Sequence, residues 1–296
     1  MKKIGFIGLG IMGKPMSKNL LKAGYSLVVF DLNKPAVEEV VAAGGEAGSS
    51  PKDVASKSDV IITMLPNSPH VKEVVLGANG VIDGAKAGSI VIDMSSIAPL
   101  VSREIGEKLA EKNIRFMDAP VSGGEPKAID GTLSIMVGAK EADFEECVPI
   151  LKCMGASAVL CGDVGAGNVT KLANQIIVAV NIAAMSEALV LATKAGVDPE
   201  SVYKAIRGGL AGSTVLDAKA PLVMARKFDP GFRINLHIKD LNNILETGHE
   251  VGAPLPLSAS VMEMMQSLKV DGHGDKDHGG LVMFYEKLAN TQVKKD

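Results

Sequence analysis

Residues 8–13, Gly8-Leu9-Gly10-Ile11-Met12-Gly13, decide how the rest of the chain reads. They follow an apolar run, Ile4-Gly5-Phe6-Ile7, and lead into a helical pattern over Met12–Ala23. A G-x-G-x-x-G pattern alone is weak, but between a strand and a helix it marks the turn that cradles a dinucleotide. Gly8 permits the tight turn, Gly10 lets backbone approach a pyrophosphate, and Gly13 lets helix and strand pack closely. The helix start adds N–H groups and the positive end of a dipole to the phosphate site, with Leu9, Ile11 and Met12 completing the loop. Asp31 stands 18 residues after Gly13, near the ~20 expected for a carboxylate that binds the ribose. Its charge repels a 2′-phosphate, and Leu32 and Asn33 bring no Arg, although Lys34 is close. The expected cofactor is therefore NAD (NADH), with NADP less favoured; a ligand-free Gly-rich turn is the alternative.

Outward from this turn, β-rich runs alternate with helical patterns. The runs are Ile4–Ile7, Leu27–Phe30, Val60–Met64, Ile90–Met94, Arg115–Asp118 and Ser134–Val137. Between them lie helical patterns such as Met12–Ala23, Pro35–Ala43, Pro99–Glu111 and Glu141–Met154. The alternation predicts an α/β, Rossmann-type domain with a mostly parallel sheet covered on both faces. Gly24 is placed to end the first helix. After Gly167 no strand is predicted. Helical patterns cover Asn168–Ala195, Pro199–Gly208, Leu236–Val251, Leu255–Leu268 and a stretch near Leu281–Ala289. The expected division is a dinucleotide-binding domain over 1–164 and an all-α domain for substrate and oligomerisation over 165–296. Open α/β sheets bind ligands beyond the carboxyl ends of their strands. Leu65 and Pro66, after one strand, and Ser96, after the next, are thus candidate cofactor contacts; each loop reads equally well as a plain turn.

Composition removes other classes. Lys plus Arg total 31 and Asp plus Glu 34, a net charge of −3, so the basic excess that drives nucleic-acid binding is missing. Hydrophobic residues make up 47% and charged residues 22%, far from a disordered composition. Aromatics are 3% with no Trp, which predicts an aliphatic core with Met filling gaps. Cys147, Cys153 and Cys161 are odd in number and form no C-x-x-C, which fits a reducing cytoplasm rather than a disulfide framework. The N-terminal apolar run is too short for a signal peptide. Ile176–Ala192 is apolar but interrupted by Asn181, Ser186 and Glu187, and reads as a helix surrounded by protein rather than a membrane span. Neither nucleic acid nor membrane is an expected partner. Residues Asp271–His278 are rich in metal-ligand types but lack helical His spacing; they read as a connector in which Asp277 caps the last helix, and no metal is expected. His70, His237 and His249 are scattered, and no Ser–His–Asp spacing is present.

Four ordered blocks resemble one family. Phe6–Leu20 resembles the N-terminal signature of the β-hydroxyacid dehydrogenases, which include 3-hydroxyisobutyrate dehydrogenase and, more distantly, 6-phosphogluconate dehydrogenase. Asp118-Ala119-Pro120-Val121-Ser122-Gly123-Gly124 looks like its substrate loop, Gly165–Gln175 like the start of its catalytic helix, and Lys239-Asp240-Leu241 like its C-terminal motif. Met64–Val71, Ser122–Ala128 and Arg207–Ser213 resemble the branch that reduces tartronate semialdehyde to D-glycerate in glucarate, galactarate and glyoxylate breakdown. The resemblance implies a small carboxylate-bearing aldehyde or hydroxy acid as substrate and a homo-oligomer, dimer or tetramer. One departure stands out: the family places Asn four residues after its catalytic Lys, whereas here Asn174 is at three and Gln175 at four. Either amide can orient the substrate.

The residues suit the chemistry. Reducing an aldehyde needs a hydride from the cofactor and a proton from the protein. Lys171 follows a Gly-rich turn at the junction of the two halves. Partial desolvation, the helix N-terminus and an oxidised nicotinamide each lower an amine's pKa towards that of a useful general acid. Ser122, Gly123 and Gly124 offer a hydroxyl and successive N–H groups to a carboxylate. Lys239 is a candidate for cofactor or substrate contact, with a surface ion pair as the alternative, and Asp240 reads as its structural partner or a neighbour's cap rather than a base. Rival readings are a reductase of methylmalonate semialdehyde, glyoxylate or another short semialdehyde, and a sensor that binds NAD without turnover. An imine reductase usually lacks the Lys, and a decarboxylating sugar-phosphate dehydrogenase normally has a longer C-terminal domain.

Overall fold

The computed structural model describes residues 2–295. The chain divides into two compact units between Lys171 and Leu172. The first contains β1 (Ile4–Ile7), α1 (Gly13–Lys22), β2 (Leu27–Phe30), α2 (Lys34–Ala42), β3 (Glu46–Ala47), α3 (Pro51–Ser56), β4 (Val60–Thr63), α4 (Ser68–Leu76), α5 (Val81–Gly84), β5 (Ile90–Asp93), α6 (Pro99–Ala110), β6 (Arg115–Asp118), β7 (Val121–Ser122), α7 (Gly124–Asp130), β8 (Leu133–Gly138), α8 (Glu141–Leu151) and β9 (Gly155–Gly162). The strands form one sheet in the order β3-β2-β1-β4-β5-β6-β8-β7, with β9 paired to β8. Strands β1 to β6 run parallel, whereas β8 is antiparallel to β6 and β7.

The apolar strand runs explain why both faces are covered. Ile4, Phe6, Leu27, Val29, Val60, Ile62, Ile90 and Ile92 join one buried cluster with Met16 and Leu20 of α1 and Val40 of α2. The alternate residues Ile7, Val28, Ile61 and Val91 join a second with Val54, Val71, Val75, Ile105 and Leu109. A period of two along each strand feeds two helical layers. α1 ends as expected: Gly24 has φ +88°, its N–H donates to Leu21 O, and the N–H of Tyr25 donates to Leu20 O.

The second unit is helical. Its elements are α9 (Ala166–Lys194), which begins in the first unit, α10 (Pro199–Ile206), α11 (Thr214–Met224), α12 (Ile234–Val251), α13 (Pro256–Val270), a 3-10 turn at His278–Leu281 and α14 (Val282–Ala289). Two features depart from the sequence reading. β3, β7, β9 and α11 were not expected; β3 and β7 are two residues long, β9 carries small, half-exposed residues and α11 contains Pro221. The 164/165 division expected from the sequence falls just before α9, whose start is hydrogen-bonded through Gly165 and Asn168 to Asp118 of β6. Finally, α9 is not enclosed on all sides. Ala179, Ile182, Met185 and Leu189 are buried in the helical core, but Ile177 is 61% and Leu191 71% exposed. By length and composition α9 is apolar enough to cross a membrane.

Candidate active site

The strand order reverses direction between β1 and β4, and the Gly-rich turn sits at that crevice. A Cβ on Gly8, whose φ is +98°, would lie 2.3 Å from Met64 O, and one on Gly13 would lie 1.9 Å from Gly8 O. Gly10 has open space around the same position. The three glycines therefore serve turn, ligand approach and helix packing separately, as a bound dinucleotide requires. Ile11 is exposed and Met12 half-buried, whereas the Leu9 side chain is in the core. Asp31 follows β2; its Oδ2 accepts from Leu9 N at 2.6 Å and its Oδ1 from Asn33 N at 2.7 Å. Each carboxylate oxygen keeps lone-pair capacity for a ribose diol. The residues present fit NAD.

The next two strand ends are joined by hydrogen bonds. Leu65 N donates to Ser95 Oγ at 2.8 Å, and Ala98 N to Ser68 Oγ at 3.1 Å. Beneath them Asp93, fully buried at the end of β5, accepts from Thr63 Oγ1 at 2.8 Å and from Ser95 N at 3.2 Å through Oδ1. Its Oδ2 is buried without a hydrogen-bond partner. Burial pushes this carboxyl up to about 7. Pro66 is exposed and Ser96 half-buried on the same edge of the sheet.

β6 delivers both a loop and an anchor. Ser122 ends β7, half-buried, and Gly123 and Gly124 follow with φ of +141° and +70°, a backbone only glycine adopts readily. Asp118, buried at the end of β6, accepts from Gly165 N and Asn168 N, each at 2.6 Å. Burial pushes it up to about 6, against the pull of those N–H groups. Lys171, buried in the second turn of α9, lies three residues beyond Asn168.

In the helical unit, Asn174 Nδ2 donates to Gln175 Oε1 at 2.8 Å, and Gln175 Nε2 donates to Asp240 Oδ2 at 2.5 Å. Asp240 Oδ1 lies 2.9 Å from Lys239 Nζ, so the four residues form one polar chain between α9 and α12. Behind it His237 and His278, both buried, face each other with Nδ1 atoms 3.0 Å apart, beside Phe232. Asp277 accepts from Lys219 Nζ, Gly231 N, Phe232 N and Gly279 N. It thus caps the 3-10 turn before α14 rather than α14 itself. Among the described residues no three His, Cys, Asp or Glu side chains gather as metal ligands.

Sequence reading missed the anchoring use of Asp93, Asp118 and Asn168, and the histidine pair. An acid ending an apolar strand was the available signal for Asp93 and Asp118. The histidines, 41 residues apart, gave none.

Comparison with known proteins adds the following. The profile described as the NAD binding domain of 6-phosphogluconate dehydrogenase matches residues 3–164. That described as NAD-binding of NADP-dependent 3-hydroxyisobutyrate dehydrogenase matches residues 165–285. The 2-hydroxy-3-oxopropionate reductase of Escherichia coli (strain K12) is 42% identical over 98% of this chain and 99% of its own. The 2-(hydroxymethyl)glutarate dehydrogenase of Eubacterium barkeri is 41% identical over 98% of this chain and 97% of its own. The solved 3-hydroxyisobutyrate dehydrogenase of Mycobacterium tuberculosis, with L-serine, superposes with a TM-score of 0.91 at 31% identity, covering 96% of this chain and 99% of that one.

Proposed function

This chain belongs to the β-hydroxyacid dehydrogenase family, NAD-dependent oxidoreductases acting on CH–OH groups, and on that premise we propose that it reduces tartronate semialdehyde (2-hydroxy-3-oxopropanoate) to D-glycerate with NADH. The observation that carries the substrate is the 42% identity to the Escherichia coli reductase along nearly the whole length of both chains. Two rivals have an observation behind them: a longer dicarboxylic substrate, from the 41% identity to the Eubacterium barkeri dehydrogenase, and methylmalonate semialdehyde, from the 31% identity to the Mycobacterium tuberculosis 3-hydroxyisobutyrate dehydrogenase.

When bound, the dinucleotide supplies the hydride. Gly8, Leu9, Gly10, Ile11, Met12 and Gly13 would hold its phosphates and Asp31 its ribose, with Leu65, Pro66, Ser96 and Lys239 as further candidate contacts. Ser122, Gly123 and Gly124 take the substrate carboxylate through a hydroxyl and backbone N–H groups. Lys171 gives its proton to the carbonyl oxygen as that becomes an alcohol, and takes it back in the reverse direction. Asn174 and Gln175 orient the substrate. Gln175 spends both ends of its amide on Asn174 and Asp240, which supports Asn174 as the amide presented to the substrate, with Gln175 holding it.

The helical unit, on this reading, also makes the oligomer. Ala173, Ile177, Ala184, Ala188 and Leu191 are exposed at helical spacing along α9, an apolar stripe that a second copy would cover. The odd, unpaired cysteines support a cytoplasmic setting.

The test is NADH consumption with tartronate semialdehyde, methylmalonate semialdehyde, glyoxylate and the semialdehyde of 2-(hydroxymethyl)glutarate. The expected result is the highest kcat/KM for the first. Lys171→Ala should lower kcat by about 10²–10⁴-fold while NADH still binds. A higher kcat/KM for the dicarboxylate would replace the substrate. Wild-type turnover in Lys171→Ala would remove the mechanism. NADH binding without turnover of any aldehyde would favour the sensor.

A further inference from the structure

We propose that Asp118 is a positioning residue for Lys171: its carboxylate clamps the first turn of α9 to the end of β6, so that the proton donor and the substrate loop Ser122–Gly124 hang from one strand end. The inference rests on Lys171 being the acid of the reaction.

The clamp is built from both sides. The N–H groups of a helix's first turn have no intrahelical acceptors. Here Asp118 Oδ1 takes Gly165 N and Oδ2 takes Asn168 N, both at 2.6 Å, the short distance of charge-assisted bonds. The fit leaves no slack. A Cβ on Gly167 would lie 2.6 Å from Asp118 O and 2.5 Å from Met136 O, and one on Gly138 would lie 2.3 Å from Asp118 Oδ1. The Asn168 side chain fixes the same turn from another direction. Its Oδ1 accepts from Ile97 N at 3.1 Å, and its Nδ2 donates to Ser102 Oγ at 3.0 Å. Ile97 follows the candidate cofactor residue Ser96, so one helical turn is referred to two strand ends of the sheet.

Lys171 is less than one turn beyond Asn168, so a tilt of that turn is carried to the amine. Ser122 is four residues beyond Asp118 in the other direction. A displacement of about 1 Å between reacting groups costs about 10²-fold in rate. A neutral Ser or Asn cap holds a helix start well; a buried carboxylate costs more to keep. What it adds is a negative charge at the turn that leads into Lys171. Arg103 of α6 and Asp93 of β5 are charged groups that interact with Asp118.

The experiment uses the full-length protein carrying Asp118→Asn, checked for folding by circular dichroism and for NADH binding by fluorescence titration. The expected result is an NADH Kd within about twofold of wild type and a kcat lowered about 10²-fold. The alkaline limb of the kcat profile should move to lower pH, because losing the negative charge eases deprotonation of the ammonium. A folded Asp118→Asn protein with wild-type kcat and an unmoved limb overturns the proposal. If Asp118→Asn does not fold, Asp118→Ser, smaller and uncharged, is measured in the same way. Its kcat should fall about 10²-fold at unchanged NADH Kd, and wild-type kcat there overturns the proposal equally. Lys171→Ala is measured alongside. Activity retained in Lys171→Ala defeats the functional reading itself; activity lost there but kept in Asp118→Asn defeats the clamp alone.

Discussion

Replacing Asp93 by Asn should flatten part of the pH dependence of stability. Asp93 is wholly buried, with Oδ1 serving Thr63 and Ser95 and Oδ2 serving nothing. Desolvation lifts its pKa from the usual 3.8 to about 7, so the folded protein holds this proton more tightly than the unfolded chain does. The sign follows. The contribution to stability is whole below the unfolded value and is lost as pH rises towards the folded one. One pH unit in mid-window is worth about 1.4 kcal/mol, and titration tapers near 7, so the loss between pH 5 and pH 7 is about 2 kcal/mol. Asn cannot titrate, yet its Oδ1 can still accept from Thr63 and Ser95. Any penalty for its Nδ2 is a constant offset. Urea unfolding of both proteins at half-unit steps from pH 5 to 8 gives the difference directly. Glu146, held down at about 2 by Arg115 and Lys2, titrates below this range and stays out of it. The wild type should lose about 2 kcal/mol relative to the variant by pH 7. A difference that stays flat across the range would mean that Asp93 ionises like an exposed acid, and the desolvation argument would fall.

Other outcomes are equally specific. Gly10→Ala should keep its stability within about 0.5 kcal/mol, because the new Cβ meets nothing within 4 Å, yet weaken NADH about tenfold or more by occupying the ligand's space. Gly13→Ala should destabilise by about 2 kcal/mol or more through the clash with Gly8 O; equal NADH affinity in Gly10→Ala and wild type would move the pyrophosphate elsewhere. Asp31→Asn should lower kcat/KM for NADH and raise the NADPH-to-NADH ratio about tenfold, by removing a charge that repels a 2′-phosphate; an unchanged ratio would take Asp31 out of the ribose site. Sedimentation of wild type should show an oligomer, and Ile177→Lys should shift it to smaller species; a monomeric wild type would end the assembly proposal.

The parts legible in sequence were those in which one local demand selects the residue. Gly8, Gly10 and Gly13 each meet a separate steric requirement, and the apolar strands carry their burial in consecutive residues. β9 was illegible because it lies outside β8 with small, half-exposed residues, and its register comes from pairing broken at Leu133/Ser134 and Val137/Gly138. α11 carries a proline that sequence rules count against a helix. Asn168 meets Asp118 across 50 residues, and His237 meets His278 across 41. No periodicity encodes such contacts, because they depend on where two finished elements come to rest. The exposed face of α9 misled for a related reason. An apolar helix is buried by whatever covers it, and sequence does not say whether that is the same chain.

Three acids repeat one device at the carboxyl edge of the sheet, and their burial separates their work. Asp31, Asp93 and Asp118 end, or immediately follow, β2, β5 and β6, and each accepts backbone N–H from chain outside the sheet: Asp31 from Leu9 and Asn33, Asp93 from Ser95, and Asp118 from Gly165 and Asn168 at the start of α9. A parallel strand ends in unpaired backbone, and a carboxylate there can order the chain that follows without lengthening the sheet. Asp31 is half-buried, so its oxygens can still reach a ligand, and it belongs to recognition. Asp93 and Asp118 are sealed in, so they can act only through what they hold: the loops carrying Leu65 and Ser96 for one, the turn leading to Lys171 for the other. Burying two carboxyls on neighbouring strands lifts both pKa values, a cost a neutral side chain would avoid. That cost is intelligible if stability is traded for fixed loop geometry where hydride and proton must arrive at one bond together.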